Sequence, residues 1–356
     1  MIRQLRRLSR TITVDGQPLR VIAVYMRRSG DTWRLDDADD TGYEGVACVD
    51  DAARVARLFL EAGRRHALPQ ATTEALGYLR FLLYMQQPDG RFVNFILNWN
   101  GDKNVTGPTS LPGGPNWNAR ALRTLAVAVT TTGDSIYREA FDRAFEPVTR
   151  EMHYADVRAQ HVLAALELYD RGKEAHLRRQ IMAWCDQIAG LCNDDGRLLN
   201  WRHEGRPHLW GYVQAGVLAR ASVALGRKDW LRLAEGTVLG YLAPRVRKGF
   251  PQGTVIPYEV SSVVANLEVL AEVTADSRYR DLLYLARAWF RGRNAAATAV
   301  YDPIHGVVAD GIDGTRVSPN SGAESNVEGA FALLDELPWA LYYSDAGRRD
   351  EPGRAR

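Results

Sequence analysis

Apolar residues recur every three to four positions through most of the chain, in stretches separated by clusters of Gly, Pro, Asn and Asp. That is the period of amphipathic helices. The pattern predicts helices over residues 45–63, 72–87, 116–131, 134–149, 156–171, 173–192, 210–225, 228–242, 258–274, 277–291, 322–334 and about 337–344. Turns at Gln87-Pro88-Asp89-Gly90 and Asn193-Asp194-Asp195-Gly196 punctuate the series. Residues 1–30 alternate instead, around a hairpin-like turn at Val14-Asp15-Gly16-Gln17, and predict short strands.

These helices form six pairs spaced in the range of helical arrays. The first member of each pair is the more apolar and the richer in small residues, as in 119–129 and 215–225, so it should be buried on most sides. The second members carry Arg, Glu and Asp and should face solvent. An open solenoid would repeat with near-constant length and short loops. Here the loops leading into the first members differ in length, and several are long and aromatic, which favours a closed double ring. The expectation is an all-α (α/α)6 toroid with short N-terminal β-strands. It forms a single domain over 1–356: a strand extension at 1–30, the helical ring at 45–345 and a disordered tail at 346–356.

Charge changes this picture little. The net charge is +2, made of 41 Arg and four Lys against 43 acids, with the signs interspersed along the helices. This describes a salt-bridged surface, not a nucleic-acid stripe. Apolar residues make up 46%, enough for a substantial core, yet no run approaches the roughly 20 apolar residues of a membrane span. The basic N-terminus lacks the continuous apolar segment of a signal peptide. Cys48, Cys185 and Cys192 show no metal spacing, which suggests reduced thiols and a cytoplasmic protein.

In a closed ring the loops before the inner helices gather at one end, where the helix dipoles favour carboxylates and polar ligands. Those loops carry acids, tryptophans and amides. Asn-Trp occurs three times, at Asn98-Trp99, Asn116-Trp117 and Asn200-Trp201. Indole faces stack on sugar rings and amides bond hydroxyls, so a carbohydrate is the expected ligand. Candidate binding residues are Glu44, Asp50, Trp99, Asn116, Trp117, Asn118, Arg120, Trp201, Trp210, Tyr212, Tyr258 and Asn320. Packing of the loops against the ring is the competing explanation for each tryptophan. Among the acids, Asp50 and Asp51 are consecutive and point about 100° apart on a helix. Asp51 is therefore assigned to the cavity and Asp50 to a pair with Arg54 or a loop amide. Glu324 stands in the first turn of a small-residue helix with little packing reason to be there. Glu259 fits a helix-dipole acid as well as a catalytic one. Asp310 and Asp313 belong to Asp-Gly turns. His203, His208 and His305 lack ligand spacing, so neither a metal nor a cofactor is expected.

Asp50-Asp51-Ala52-Ala53-Arg54-Val55-Ala56 and Gly322-Ala323-Glu324-Ser325 carry a resemblance. The chain resembles the six-hairpin glycosidase superfamily, and within it the helical domains associated with bacterial glycosyltransferases. Ala52 stands where those domains have Asn. The resemblance implies glycosidic cleavage by two carboxylates, inversion being the commoner outcome in such toroids. It implies Asp51 as general base and Glu324 as general acid, neighbours through ring closure, with Glu259 in reserve, and a functional link to a glycosyltransferase.

Three other readings stay open. A polysaccharide lyase on uronic-acid glycans could draw on Tyr43, Tyr212, His203 and Arg120. A sugar epimerase would need paired bases, commonly His. A non-catalytic glycan-binding module would bind without turnover. The acidic run at residues 36–40 suggests a terpene cyclase motif, but without an apolar cavity signal around it. Arg91, Arg120, Arg202 and Arg206 in these loops keep acidic sugars within range.

Overall fold

The computed structural model describes residues 1–29, 32–35, 43–150, 152–251 and 253–344. The acidic run at 36–40 and the tail at 346–356 lie outside the described residues. The helices in chain order are α1 (Ile2–Leu8), α2 (Val49–Arg65), α3 (Pro69–Met85), α4 (Pro115–Thr132), α5 (Ser135–Thr149), α6 (Ala155–Gly172), α7 (Ala175–Ala189), α8 (Gln214–Leu225), α9 (Lys228–Thr237), α10 (Ala243–Arg247), α11 (Pro257–Thr274), α12 (Ser277–Arg287), α13 (Ala323–Ala332) and α14 (Trp339–Tyr342). The strands are β1 (Ser9–Val14), β2 (Gln17–Ile22), β3 (Met26–Ser29), β4 (Thr32–Leu35), β5 (Ala47–Cys48), β6 (Phe95–Ile96), β7 (Thr254–Val255), β8 (Tyr301–Asp302), β9 (Val307–Val308), β10 (Ile312–Asp313) and β11 (Arg316–Val317).

The chain folds as two compact units, one of Met1–Arg150, Pro303–Val308 and Asn320–Arg356, the other of Glu151–Asp302 and Ala309–Pro319. In the first unit the inner helix α2 packs between α4 and α13, with α3 and α5 as outer partners. The first and last inner helices are thus neighbours. β1 and β2 pair through a turn in which Asp15 and Gly16 both have positive φ (50° and 74°), the hairpin geometry that suits the strand twist. Ahead of it, Ile2–Leu8 is helical where alternation suggested a strand. Ile2, Leu5 and Leu8 share one face, are fully buried and lie against α13, so burial of that stripe overrides the local pattern.

In the second unit α8 lies between α6 and α11, with α7, α9 and α12 outside. α9 runs on through a π turn at Val238–Leu242 into α10. β7, β10 and β11 form a small antiparallel sheet beside the start of α11. In α8, Gln214, Ala215, Gly216, Val217, Leu218 and Ala219 are all buried, as expected for an inner helix. Two inner helices begin later than the sequence pattern suggests. α2 starts at Val49 because Ala47–Cys48 extends to pair with Phe95–Ile96. α8 starts at Gln214 because Gly211 turns at φ 74° and donates its N–H to Ser262 Oγ at 2.9 Å.

A buried asparagine on each of three inner helices holds a neighbouring segment of the chain. Asn118 accepts from Phe92 N–H (2.9 Å), Asn266 from Gly216 N–H (2.6 Å) and Asn326 from Val308 N–H (2.9 Å). Each amide group also donates to backbone carbonyls. Asn118 donates to Gly114, Asn266 to Tyr212 and Ser262, and Asn326 to Gly322. Buried backbone groups in these segments are thereby satisfied and their positions fixed. Among the described residues, no helix is long and apolar enough to cross a membrane.

Candidate active site

The start of α2 builds the first unit's site. Cys48 is the N-cap, and its Sγ accepts the Asp51 N–H at 3.4 Å. Asp50 and Asp51 occupy the first turn, where the dipole favours carboxylates. Their divergence of about 100° separates them as expected. Asp51 is buried, while Asp50 is half-buried with its N–H on Asn94 Oδ1 (3.1 Å).

Both acids reach the guanidinium of Arg54, which is the hub of the site. Nη2 donates to Asp50 Oδ2 (3.0 Å) and Asp51 Oδ1 (2.9 Å). Nη1 donates to Glu324 Oε2 (3.0 Å) and Glu328 Oε1 (3.2 Å), both from α13. Arg120, on α4, donates to Asp50 as well. Three inner helices thus deliver four carboxylates and two guanidiniums to one cluster. Arg54 and Glu328 were missed as site residues, although Glu328 stands one helical turn after Glu324 and so shares its face.

The cluster's electrostatics sort the acids. Burial alone would raise Asp50, but Arg120 and Arg54 outweigh it and hold Asp50 below the usual carboxylate range. Burial pushes Asp51 up to about 6. Arg54 opposes this, and the neighbouring charges of Asp50 and Glu324 reinforce it. Burial disfavours a charged Arg54, yet the surrounding carboxylates, Asp50 first, keep its pKa well above the ordinary value. Burial likewise keeps the Cys48 thiol protonated, so its S–H faces Asp51 Oδ2 at 3.4 Å. Glu324 is the accessible acid, with its side chain 43% exposed. Because Asp51 and Glu324 both bind the terminal nitrogens of one guanidinium, their carboxyls lie within about 8 Å, the scale on which paired glycosidase carboxylates work.

Several expected sugar ligands are instead structural. Trp117 is buried, donates Nε1–H to Phe92 O (2.8 Å), and lies so close to Gly114 that a Cβ there would sit inside its indole ring. Asn118 is one of the asparagines that hold a neighbouring segment. Tyr212 is fully buried with its hydroxyl on Leu198 O (2.6 Å). Glu44 holds the loop that follows β6, accepting from Thr109 N–H (2.9 Å) while its carbonyl accepts from Asn104 Nδ2 (2.7 Å). Packing and hydrogen bonding take Trp117, Asn118 and Tyr212 away from solvent, while Glu44 is half-buried. Tyr258 is also buried. Asn116 is half-buried in the first turn of α4, Trp99 is half-buried beneath the Arg10 guanidinium (5.2 Å), and Asn320 is exposed.

In the second unit the aromatics stay open. Trp201, Trp210 and Tyr154 are all more than a third exposed. His208 stacks on Trp210 with centroids 3.6 Å apart and an interplanar angle of 9°, and lies 5.9 Å from the Trp201 ring. Tyr154 meets Trp201 edge-on at 6.0 Å. The His208 Nε2 lies 4.0 Å from Asp156 Oδ2, and burial lowers the pKa of the ring. Glu259 caps α11, its Oε2 accepting from Ile256 N–H at 3.3 Å, and burial raises its pKa. The sequence treated His208 as an ordinary loop histidine; only stacking reveals its setting. Among the described residues, no group of three or more His, Cys, Asp or Glu side chains is arranged to hold a metal ion.

No protein-family model matches the chain, and no curated protein matches it in sequence. Solved structures do. A sugar epimerase from a ruminal bacterium superposes with a TM-score of 0.70 at 12% identity, over 94% of this chain and 95% of the other. A cellobiose 2-epimerase from Bacillus thermoamylovorans gives 0.66 at 11% identity, over 85% and 94%. A GH76 α-mannanase from Bacteroides thetaiotaomicron gives 0.64 at 11% identity, over 90% and 93%. These are six-hairpin proteins, and the fold of this chain is the (α/α)6 toroid.

Proposed function

We propose that the chain is a glycoside hydrolase whose reacting carboxylates are Asp51 and Glu324. The observation that carries this reading is the single buried guanidinium of Arg54, which holds acids from the first and last inner helices in one cluster. The resemblance to α-mannanases supports it. One of these, from Salegentibacter, was captured with α-1,6-mannotriose as a variant inactivated at two consecutive aspartates, and this chain also carries consecutive aspartates, Asp50 and Asp51.

The electrostatics favour roles opposite to those the sequence suggested. A carboxyl raised to about 6 keeps its proton closer to neutrality, which suits Asp51 to protonate the leaving glycosidic oxygen. Glu324 is the more exposed, and Arg54 orients its carboxylate to take a proton from water or to attack the anomeric carbon. Asp50, bound to two arginines, is a positioning residue. Three unpaired thiols suit a cytoplasmic setting.

A sugar epimerase is the second reading. The epimerase structures favour it, as does His208, a half-buried imidazole of lowered pKa beside Asp156 and open tryptophans, a setting for a neutral base. One experiment separates the two. An oligosaccharide panel in heavy water is followed by mass spectrometry and NMR, with wild type beside D51N, E324Q and H208N. Hydrolysis adds a water and is lost in D51N and E324Q, with the basic limb of the pH–rate profile near 6. Epimerisation leaves the mass of the sugar unchanged apart from solvent deuterium, and is lost in H208N. Hydrolysis that survives both carboxylate variants would end the first reading.

A further inference from the structure

The second unit contains a cavity of about 760 Å³ whose walls include no residue of the carboxylate cluster. They carry Arg206, Arg245 and Lys248, with Glu259 as the acid among them, and Phe250 with Pro244 gives an apolar side. The volume lies within the usual range of small-molecule sites, roughly 300–1,000 Å³.

One of these cations is set in place by the chain itself. Arg245 is half-buried, its guanidinium lying 3.8 Å over the Tyr241 ring with Nη1 donating to Tyr241 O (2.8 Å), so its position is fixed before any ligand arrives. Among the described residues, the ion pairs formed elsewhere by the arginines and lysines include none from Arg245 or Lys248 to a carboxylate. Glu259 interacts electrostatically with Arg206 and Arg245, but its single charge cannot balance the three cations Arg206, Arg245 and Lys248. Burial, and then repulsion from Arg206 and Arg197, lowers the pKa of Arg245, as expected where like charges crowd together. The wall itself is unusual: Gly249 and Phe250 both take positive φ (69° and 57°), which turns the chain after α10 and places the buried Phe250 ring along the cavity.

We propose that this cavity binds an acidic sugar, its carboxylate or phosphate bridging Arg245 and Lys248, its hydroxyls reaching Glu259 and its ring lying against Phe250. The anion's place follows from the cations; its identity as a sugar rests on the carbohydrate reading above. A guanidinium presents paired donors that match carboxylate and phosphate oxygens, and a single sugar ring fits the remaining space.

The test is calorimetric binding in the hydrolysis-deficient E324Q protein, so that turnover plays no part. Glucuronate, glucose 6-phosphate, glucose and inorganic phosphate are titrated in turn. Glucuronate, glucose 6-phosphate or both should bind about tenfold or more tightly than glucose, and the two arms distinguish a carboxylate ligand from a phosphate one. R245Q and K248Q should each weaken that binding about tenfold. Lys248 is exposed, so K248Q keeps the test valid should R245Q unfold. Equal binding of glucose, phosphate bound as tightly as its sugar ester, or affinity unchanged in K248Q would overturn the proposal. None of these outcomes bears on hydrolysis at Asp51 and Glu324, which the product assay decides.

Discussion

Replacing Asp51 with asparagine should make the protein more stable at neutral pH while it abolishes turnover. In the folded state the Asp51 carboxyl titrates near 6, against 3.8 for the ordinary group. At about 1.4 kcal/mol per pKa unit, ionised Asp51 costs the native state about 3 kcal/mol at pH 7. The sign follows from the raised value. The favourable contribution of the protonated group is present below pH 3.8 and is lost as pH rises through about 6. Asparagine mimics the protonated form: its Oδ1 can keep the Arg54 bond, and its Nδ2–H takes the place of the oxygen that faces Cys48 Sγ. A gain of this size corresponds to a midpoint rise of roughly 5 °C, given about 2–4 °C per kcal/mol in domains somewhat smaller than this one. Thermal melts of wild type and D51N at pH 7.5 and pH 4 provide the assay. The gap should be wide at pH 7.5 and nearly closed at pH 4. If D51N melts lower than wild type at both pH values, Asp51 is an ionised structural partner of Arg54, and the argument for a poised acid collapses.

Removing the hub should do the opposite. R54M takes the shared guanidinium from four carboxylates and should cost about 3–5 kcal/mol in urea unfolding at pH 7, with part recovered on acidification as those carboxylates protonate. The tryptophans should divide by burial. W117A, which empties a packed site, should cost about 3–5 kcal/mol in denaturant titrations. W201A and W210A should change stability by less than about 1 kcal/mol and should weaken oligosaccharide affinity measured by calorimetry. N266A leaves the Gly216 N–H and Tyr212 C=O without their partner, and thermal melts should show a loss of about 1–3 kcal/mol for each group stranded.

How much of this was legible in advance depends on the range of the interaction. The helix pairs, the buried inner members and the hairpin at Asp15-Gly16 follow from periodicity and turn chemistry, which act over a few residues and leave a direct imprint on the sequence. So does the separation of Asp50 from Asp51, because about 3.6 residues per turn fixes the angle between consecutive side chains. The helix at Ile2–Leu8 was hidden because its apolar stripe is short and is stabilised by packing on α13, at the far end of the chain.

The site shows the same division more sharply. Trp117 and Trp201 both follow an asparagine in a loop or first helical turn, yet one is buried against Gly114 and the other stands open beside Tyr154. Nothing within the dipeptide distinguishes them. Arg54 was expected only as a local partner of Asp50 four residues before it, and became the hub because α13 brings Glu324 and Glu328 to it from 270 and 274 positions away. The sequence by itself determined which long stretches pair as helices, which faces are apolar and which residue types crowd the loops, since these depend on local geometry and the hydrophobic period. Tertiary structure decided which charges meet and how far they are stripped of water, because desolvation and Coulomb energy depend on distances in space that adjacency along the chain does not encode.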